Sequence, residues 1–191
     1  MKEVRMRIFF ALTIIFQVFL GFSQQPPATD IYIFDMKIRK SGIILSNLQN
    51  ITARKGYDNQ PFFHPENPLL YYASADEDGR TDIMVYNYQT DETSRLTHTA
   101  EREYSPTATP DGKFISCIIQ RDHGAQDLGK YPVNGGEPIV LINNLTIGYH
   151  AWINENQLLL FVLGQPNTLR LYDVNAGEDK ILAQNIGRSL H

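Results

Sequence analysis

The sequence predicts an all-β fold built from repeated four-stranded blades, and three observations carry that prediction. First, a turn followed by a nearly unbroken apolar run recurs, as FFHPENPLLYYASA at 62–75, TATPDGKFISCIIQ at 107–120 and AWINENQLLLFVLG at 151–164. These turns open at Pro65, Pro110 and Asn154, 45 and 44 residues apart. Second, an aromatic recurs between them in DIYIFDM, DIMVYNY, DLGKYPV and TLRLYDV, so that Phe34, Tyr86, Tyr131 and Tyr172 step by 52, 45 and 41 residues. Third, each of these segments is followed by a turn-prone stretch and one more apolar strand: IILSNL, SRLTH, PIVLIN or KILAQ. Four short strands per unit of about 41 to 52 residues is the period of a β-propeller blade.

Composition sets the outer bounds. The chain has 191 residues, 42% hydrophobic and 20% charged, enough for one domain with a sizeable core. A formal charge of −4, with no cluster of Lys and Arg beyond the first residues, argues against a nucleic-acid partner, because phosphate binding relies on concentrated positive charge.

At the start of the chain, Lys2, Arg5 and Arg7 precede IFFALTIIFQVFLGF, a run interrupted only by Thr13 and Gln17. That run is shorter than the roughly 20 residues that span a bilayer, and small residues near Ser23 suit a leader peptidase. Residues 1–23 therefore read as a signal peptide, residues 24–29 as a linker, and the mature protein as periplasmic or secreted, with no stable membrane insertion. The single cysteine, Cys117, allows no intramolecular disulfide and reads as a small apolar group within FISCIIQ.

The blades follow in order. Residues 30–52 supply two strands of the outer kind, a partial blade, and full blades are expected at 60–99, 104–143 and 148–184. The inner strands LLYYASA, FISCIIQ and QLLLFVLG read as nearly continuous apolar runs because neighbouring blades press on both faces. Outer strands alternate: Ile83 and Val85 share one face, and Met84, Tyr86 and Tyr88 the other. Pro110-Asp111-Gly112 presets φ and then permits a left-handed residue, so the reversal between inner strands costs little. IGRSLH, ending at His191, repeats the opening of IGYHAW and reads as the start of a further blade. A ring of six such blades needs about 250 residues, so the expectation is an incomplete portion of three to four blades whose first blade is completed by a later segment. Unpaired strand edges and apolar blade faces would then favour poor solubility or association.

At Thr109-Pro110-Asp111-Gly112-Lys113 the chain resembles the TolB-like, WD40-like propeller repeat family. His64-Pro65-Glu66-Asn67 and Ile153-Asn154-Glu155-Asn156 resemble degenerate versions of the same motif, and the resemblance covers about residues 30–191. It implies a fold used by periplasmic scaffolds, surface binders and accessory domains of peptidases, and leaves the activity open.

Chemical motifs are sparse. Asp76, Asp78 and Asp82 with Gly79 lack the flanking helices and bidentate Glu of a calcium loop and read as a hairpin turn. Gly135-Gly136 reads as another turn, and the common hydrolase and zinc signatures do not occur. His64, His150 and His191 stand at different offsets from their turns, so no shared metal is expected, and neither is a cofactor or a catalytic residue. The informative positions are the crossings between blades, TARKGYDNQ, TAEREYSPT, LTIGYHAW and QNIGRSLH. They place Tyr57, Tyr104 and Tyr149 around one mouth of the channel, with Arg102, Glu103, His150 and Arg188 beside them, a surface suited to a protein or small ligand. The leading expectation is a non-catalytic binding scaffold. The alternatives are the gating propeller of a prolyl-peptidase-like α/β-hydrolase, or a metal-dependent propeller hydrolase with carboxylates around the channel.

Overall fold

A computed structural model describes residues 27–188 and Leu190; the expected leader, the first half of the linker and His191 lie outside the described residues. Fourteen strands form four antiparallel sheets among the described residues. A hairpin of β1 (Tyr32–Arg39) and β2 (Gly42–Asn50) comes first. Blade 1 comprises β3 (Asp58–Phe63), β4 (Leu69–Ala75), β5 (Thr81–Asn87) and β6 (Glu92–Arg95). Blade 2 comprises β7 (Arg102–Ala108), β8 (Phe114–Gln120), β9 (Gln126–Pro132) and β10 (Ile139–Ile142). Blade 3 comprises β11 (Ile147–Asn154), β12 (Gln157–Val162), β13 (Thr168–Asp173) and β14 (Glu178–Gln184). Strands pair in chain order within each sheet, the meander of a propeller blade. The fold is thus an incomplete all-β propeller.

Two seams between blades hold the core. Between blades 1 and 2, Tyr71, Ala73 and Ile83 pack on Ile115, Cys117, Ile119 and Tyr131. Between blades 2 and 3, Ile118, Leu128 and Ile142 pack on Ile147, Leu158, Leu160 and Tyr172. Side chains alternate across β8, so Ile115, Cys117 and Ile119 enter one seam while Ile118 enters the other. Both faces are covered, and that is why FISCIIQ is mostly apolar on both. Each such aliphatic side chain contributes about 1.5–3 kcal/mol on burial. A third, smaller cluster joins Ile31 of the hairpin segment to Leu70, Tyr72 and Tyr86 of blade 1. Thr29, at the end of the expected linker, forms a parallel bridge with Tyr57.

The repeated turn is a structural device. Thr109 Oγ1 donates to Asp111 Oδ1 at 2.6 Å, Lys113 N donates to the same oxygen at 3.1 Å, and Gly112 takes a φ of 66°. The Thr109 hydroxyl holds the Asp111 carboxyl below its ordinary range. In blade 1 an imidazole substitutes, with His64 Nδ1 accepting from the backbone N–H groups of Glu66 and Asn67 at 3.1 and 3.0 Å. The acidic stretch at 76–80 is also a turn: Asp76 Oδ1 accepts from Asp78 N and Arg80 N, and Gly79 has a φ of 76°. The outer strand expected over SRLTH runs instead over Glu92–Arg95. Leu96 and Thr97 fold back to Ile83, whose N–H donates to Thr97 Oγ1 at 2.8 Å.

Candidate functional site

The site forms where the inner strands β3, β7 and β11 begin. Each breaks its register there, between Asn59 and Phe62, between Tyr104 and Thr107, and between Ile147 and Tyr149. Gln60 and Ser105 occupy the first two breaks with φ of 57° and 54°, each followed by a proline. Bulges of this kind re-aim neighbouring side chains and bend the strand. Ser105 N donates to Gln60 Oε1 at 2.8 Å, which ties the two bulges across the blades.

A cavity of about 290 Å³ opens at these bulges. Tyr104, Tyr149 and Arg188 line it, so the structure brings together three of the residues singled out in the sequence. Tyr57 stands behind them, its ring edge-on to Tyr104 with centroids 6.4 Å apart. Burial, followed by the proximity of Tyr104 and Tyr149, raises the Tyr57 phenol above its ordinary pKa. Ile118, Phe161 and Leu163 supply an apolar wall, and the Tyr149 ring meets Phe161 edge-on at 6.0 Å. Gln60, Gln120 and Gln126 add neutral amides, the last two facing each other across β8 and β9. Gly148 completes the lining, and a Cβ there would meet Phe161 Cδ1 at 2.9 Å.

The other singled-out residues lie elsewhere. Arg102 sits on the rim, with Nη1 donating to Asp122 Oδ1 at 3.0 Å, while Arg80 Nη1 reaches the same oxygen at 3.3 Å. The two guanidiniums, Arg80 first, hold the Asp122 carboxyl below its ordinary range. Glu103, beside Tyr104, points into the seam between blades 1 and 2. There it accepts from Thr99 Oγ1 at 2.6 Å and Tyr131 OH at 2.9 Å, and burial raises its pKa despite those donors.

His150, beside Tyr149, is likewise turned into a seam, because successive strand residues face opposite ways. Its Nε2 lies 2.7 Å from Ser116 Oγ. Ser116 Oγ also donates to the Thr107 carbonyl at 3.0 Å and accepts from Trp152 Nε1 at 2.9 Å. The serine proton is thus committed to Thr107, so His150 Nε2 is the donor to Ser116 and Nδ1 carries the lone pair. That nitrogen is buried with no partner, and burial lowers the His150 pKa to about 4. The serine and histidine are sealed between blades, where the pair ties them together. No group of three or more His, Cys, Asp or Glu side chains among the described residues is arranged to hold a metal ion.

Sequence reasoning did not find the three glutamines, Gly148 or the apolar wall. Gln120 and Gln126 carry one legible signal, since they flank the turn that closes FISCIIQ, at the same end as the crossings.

The four-stranded meander sheets form a TolB-like β-propeller fold. Similar solved structures include a putative TolB from Agrobacterium tumefaciens, with a TM-score of 0.63 at 15% identity over 79% of this chain and 60% of that one. TolB from Acinetobacter baumannii is similar with a TM-score of 0.59 at 18% identity, over 80% of this chain and 41% of that one. A puromycin-hydrolyzing peptidase from Mycobacterium tuberculosis is similar with a TM-score of 0.58 at 14% identity, over 84% of this chain and 25% of that one. The chain therefore spans less than two thirds of each. No protein-family model and no curated protein matches it. Among the described residues no helix is long and apolar enough to cross a membrane.

Proposed function

We propose that this chain belongs to an exported, TolB-like propeller that binds a protein or ligand over its channel mouth without performing chemistry. The observation that carries the reading is the convergence of Tyr104, Tyr149 and Arg188 from two blades and the terminal segment on one cavity, backed by Tyr57. Amphipathic aromatics beside a guanidinium and an apolar wall supply both contact area and orientation at a binding site. The basic, apolar start of the sequence supports export. Mass spectrometry of the protein from its native host tests that point, and an intact Met1 would overturn it.

A photo-crosslinking amino acid at Tyr149 tests the binding reading. A discrete adduct from periplasmic extract is expected there and not at Tyr88, which is exposed on the outer part of blade 1. Equal adducts at both positions, or none at Tyr149, would return the tyrosines to a packing role. A second reading is favoured by the fold shared with the puromycin-hydrolyzing peptidase, in which the mouth would admit substrate to a hydrolase domain. Hydrolysis of a chromogenic aminoacyl anilide by the product of the whole gene separates the two.

A further inference from the structure

The cavity at the mouth has an asymmetric chemistry. Arg188 is the one charged residue of its lining, and no carboxylate among the described residues lies within ion-pair distance of it. The other arginines of this end are engaged, Arg80 and Arg102 by Asp122, and Arg121 by Asp127 and Glu101. The Gln120 and Gln126 amides, side by side in register, make no hydrogen bond within the protein among the described residues. An open guanidinium, two unengaged amides and an apolar wall thus share one concavity near the small end of the range for ligand pockets.

We infer that the mouth takes a peptide segment bearing a carboxylate next to an apolar side chain. Arg188 holds the carboxylate by a charge-assisted, planar fork. Gln120 and Gln126, each offering a carbonyl and an NH₂, hydrogen-bond the amide groups of the segment. Phe161 and Leu163 receive the apolar side chain. This inference rests on the binding reading above and adds the ligand's chemistry to it.

The carboxylate could be a chain end or an acidic side chain, and three peptides distinguish the sources. Binding of N-acetyl-Ala-Phe acid, N-acetyl-Ala-Phe amide and N-acetyl-Glu-Phe amide to the full chain is measured by titration calorimetry. The free acid is expected to bind about tenfold or more tightly than the Ala-Phe amide, the usual gain for a hydrogen-bonded charge. Recovery of that affinity by the Glu-Phe amide assigns the carboxylate to a side chain; its absence assigns it to a chain end. Arg188→Gln should bring acid and amide to the same affinity, whereas Arg188→Lys keeps part of the difference. Tyr104→Ala should weaken all three peptides alike. Equal binding of all three peptides by the unaltered protein, with all three lost in Tyr104→Ala, overturns the carboxylate inference and leaves the binding mouth standing. Failure of every peptide to bind overturns the inference, and the crosslinking at Tyr149 then decides the broader reading by itself.

Discussion

Phe34 and Tyr131 occupy the same place in the sequence repeat, yet Phe34, on β1 of the hairpin, is 49% exposed, and Tyr131, on the third strand of blade 2, 1%. Tyr86 and Tyr172 are buried like Tyr131, so the hairpin is the exception. The difference lies in what surrounds the strand. In blade 2, β9 has β8 on one edge, β10 on the other and blade 1 across its face. In the hairpin, β1 pairs only with β2. Its Met36, Ile38, Ile43 and Leu45 are exposed although apolar. An apolar pattern records the capacity for burial, and neighbours decide whether it is realised.

The largest effect should come from removing the aromatic on each side of that comparison. Tyr131→Ala is expected to cost about 3–5 kcal/mol, through a buried cavity and a Glu103 carboxylate that loses a donor. Phe34→Ala should stay within about 1 kcal/mol, as half-exposed substitutions do. Denaturant midpoints check both, and equal losses would break the comparison.

The second seam sharpens it through pH. The His150 pKa of about 4 lies below its ordinary 6.5, so between those values the unfolded chain binds more protons than the folded one. Stability then rises with pH across this window, is fully present above pH 6.5, and is lost as pH falls toward 4. The magnitude is about 3 kcal/mol. Melting temperatures between pH 7 and 4 should fall less in His150→Asn than in the unaltered chain. Glu103 works in the opposite sense: its folded pKa is raised, so its contribution is present below the ordinary pKa of 4.5 and is lost as pH rises through the folded value.

The smallest effect separates two buried tyrosines. Tyr131→Phe should lose about 1–2 kcal/mol, because Glu103 is left with one fewer hydroxyl donor. Tyr172→Phe should lose about 0.5 kcal/mol or less, since its hydroxyl makes no hydrogen bond among the described residues. Equal losses in urea titrations would show that burial of the ring, and not the hydroxyl, accounts for both.

The blade plan was legible because turn, apolar run and aromatic recur at nearly one period, and each has a local physical cause. The mouth was legible in part. Tyr57, Tyr104, Tyr149 and Arg188 were placed by their crossings, while Glu103 and His150 stood next to two of them and could not be separated by type. Alternation settles that question, but its phase depends on the bulges at Gln60 and Ser105 and the register break at Gly148. The glutamines stayed hidden for another reason. A neutral amide has no motif, and its meaning comes from the wall opposite.

Cys117 lies at the centre of the seam between blades 1 and 2, fully buried, with its pKa raised well above the ordinary value by burial and then by Glu103. Thiol reagents react with the thiolate, so this sulfur is silent while the blades stay together. The chain consequently carries a natural stopwatch for their separation. Under a fast reagent, the labelling rate counts individual opening events; under a slow one, it reads the fraction of time spent open. A ligand that clamps the mouth across Gln60 of blade 1 and Tyr104 of blade 2 would slow that clock from a distance, although it never touches the sulfur.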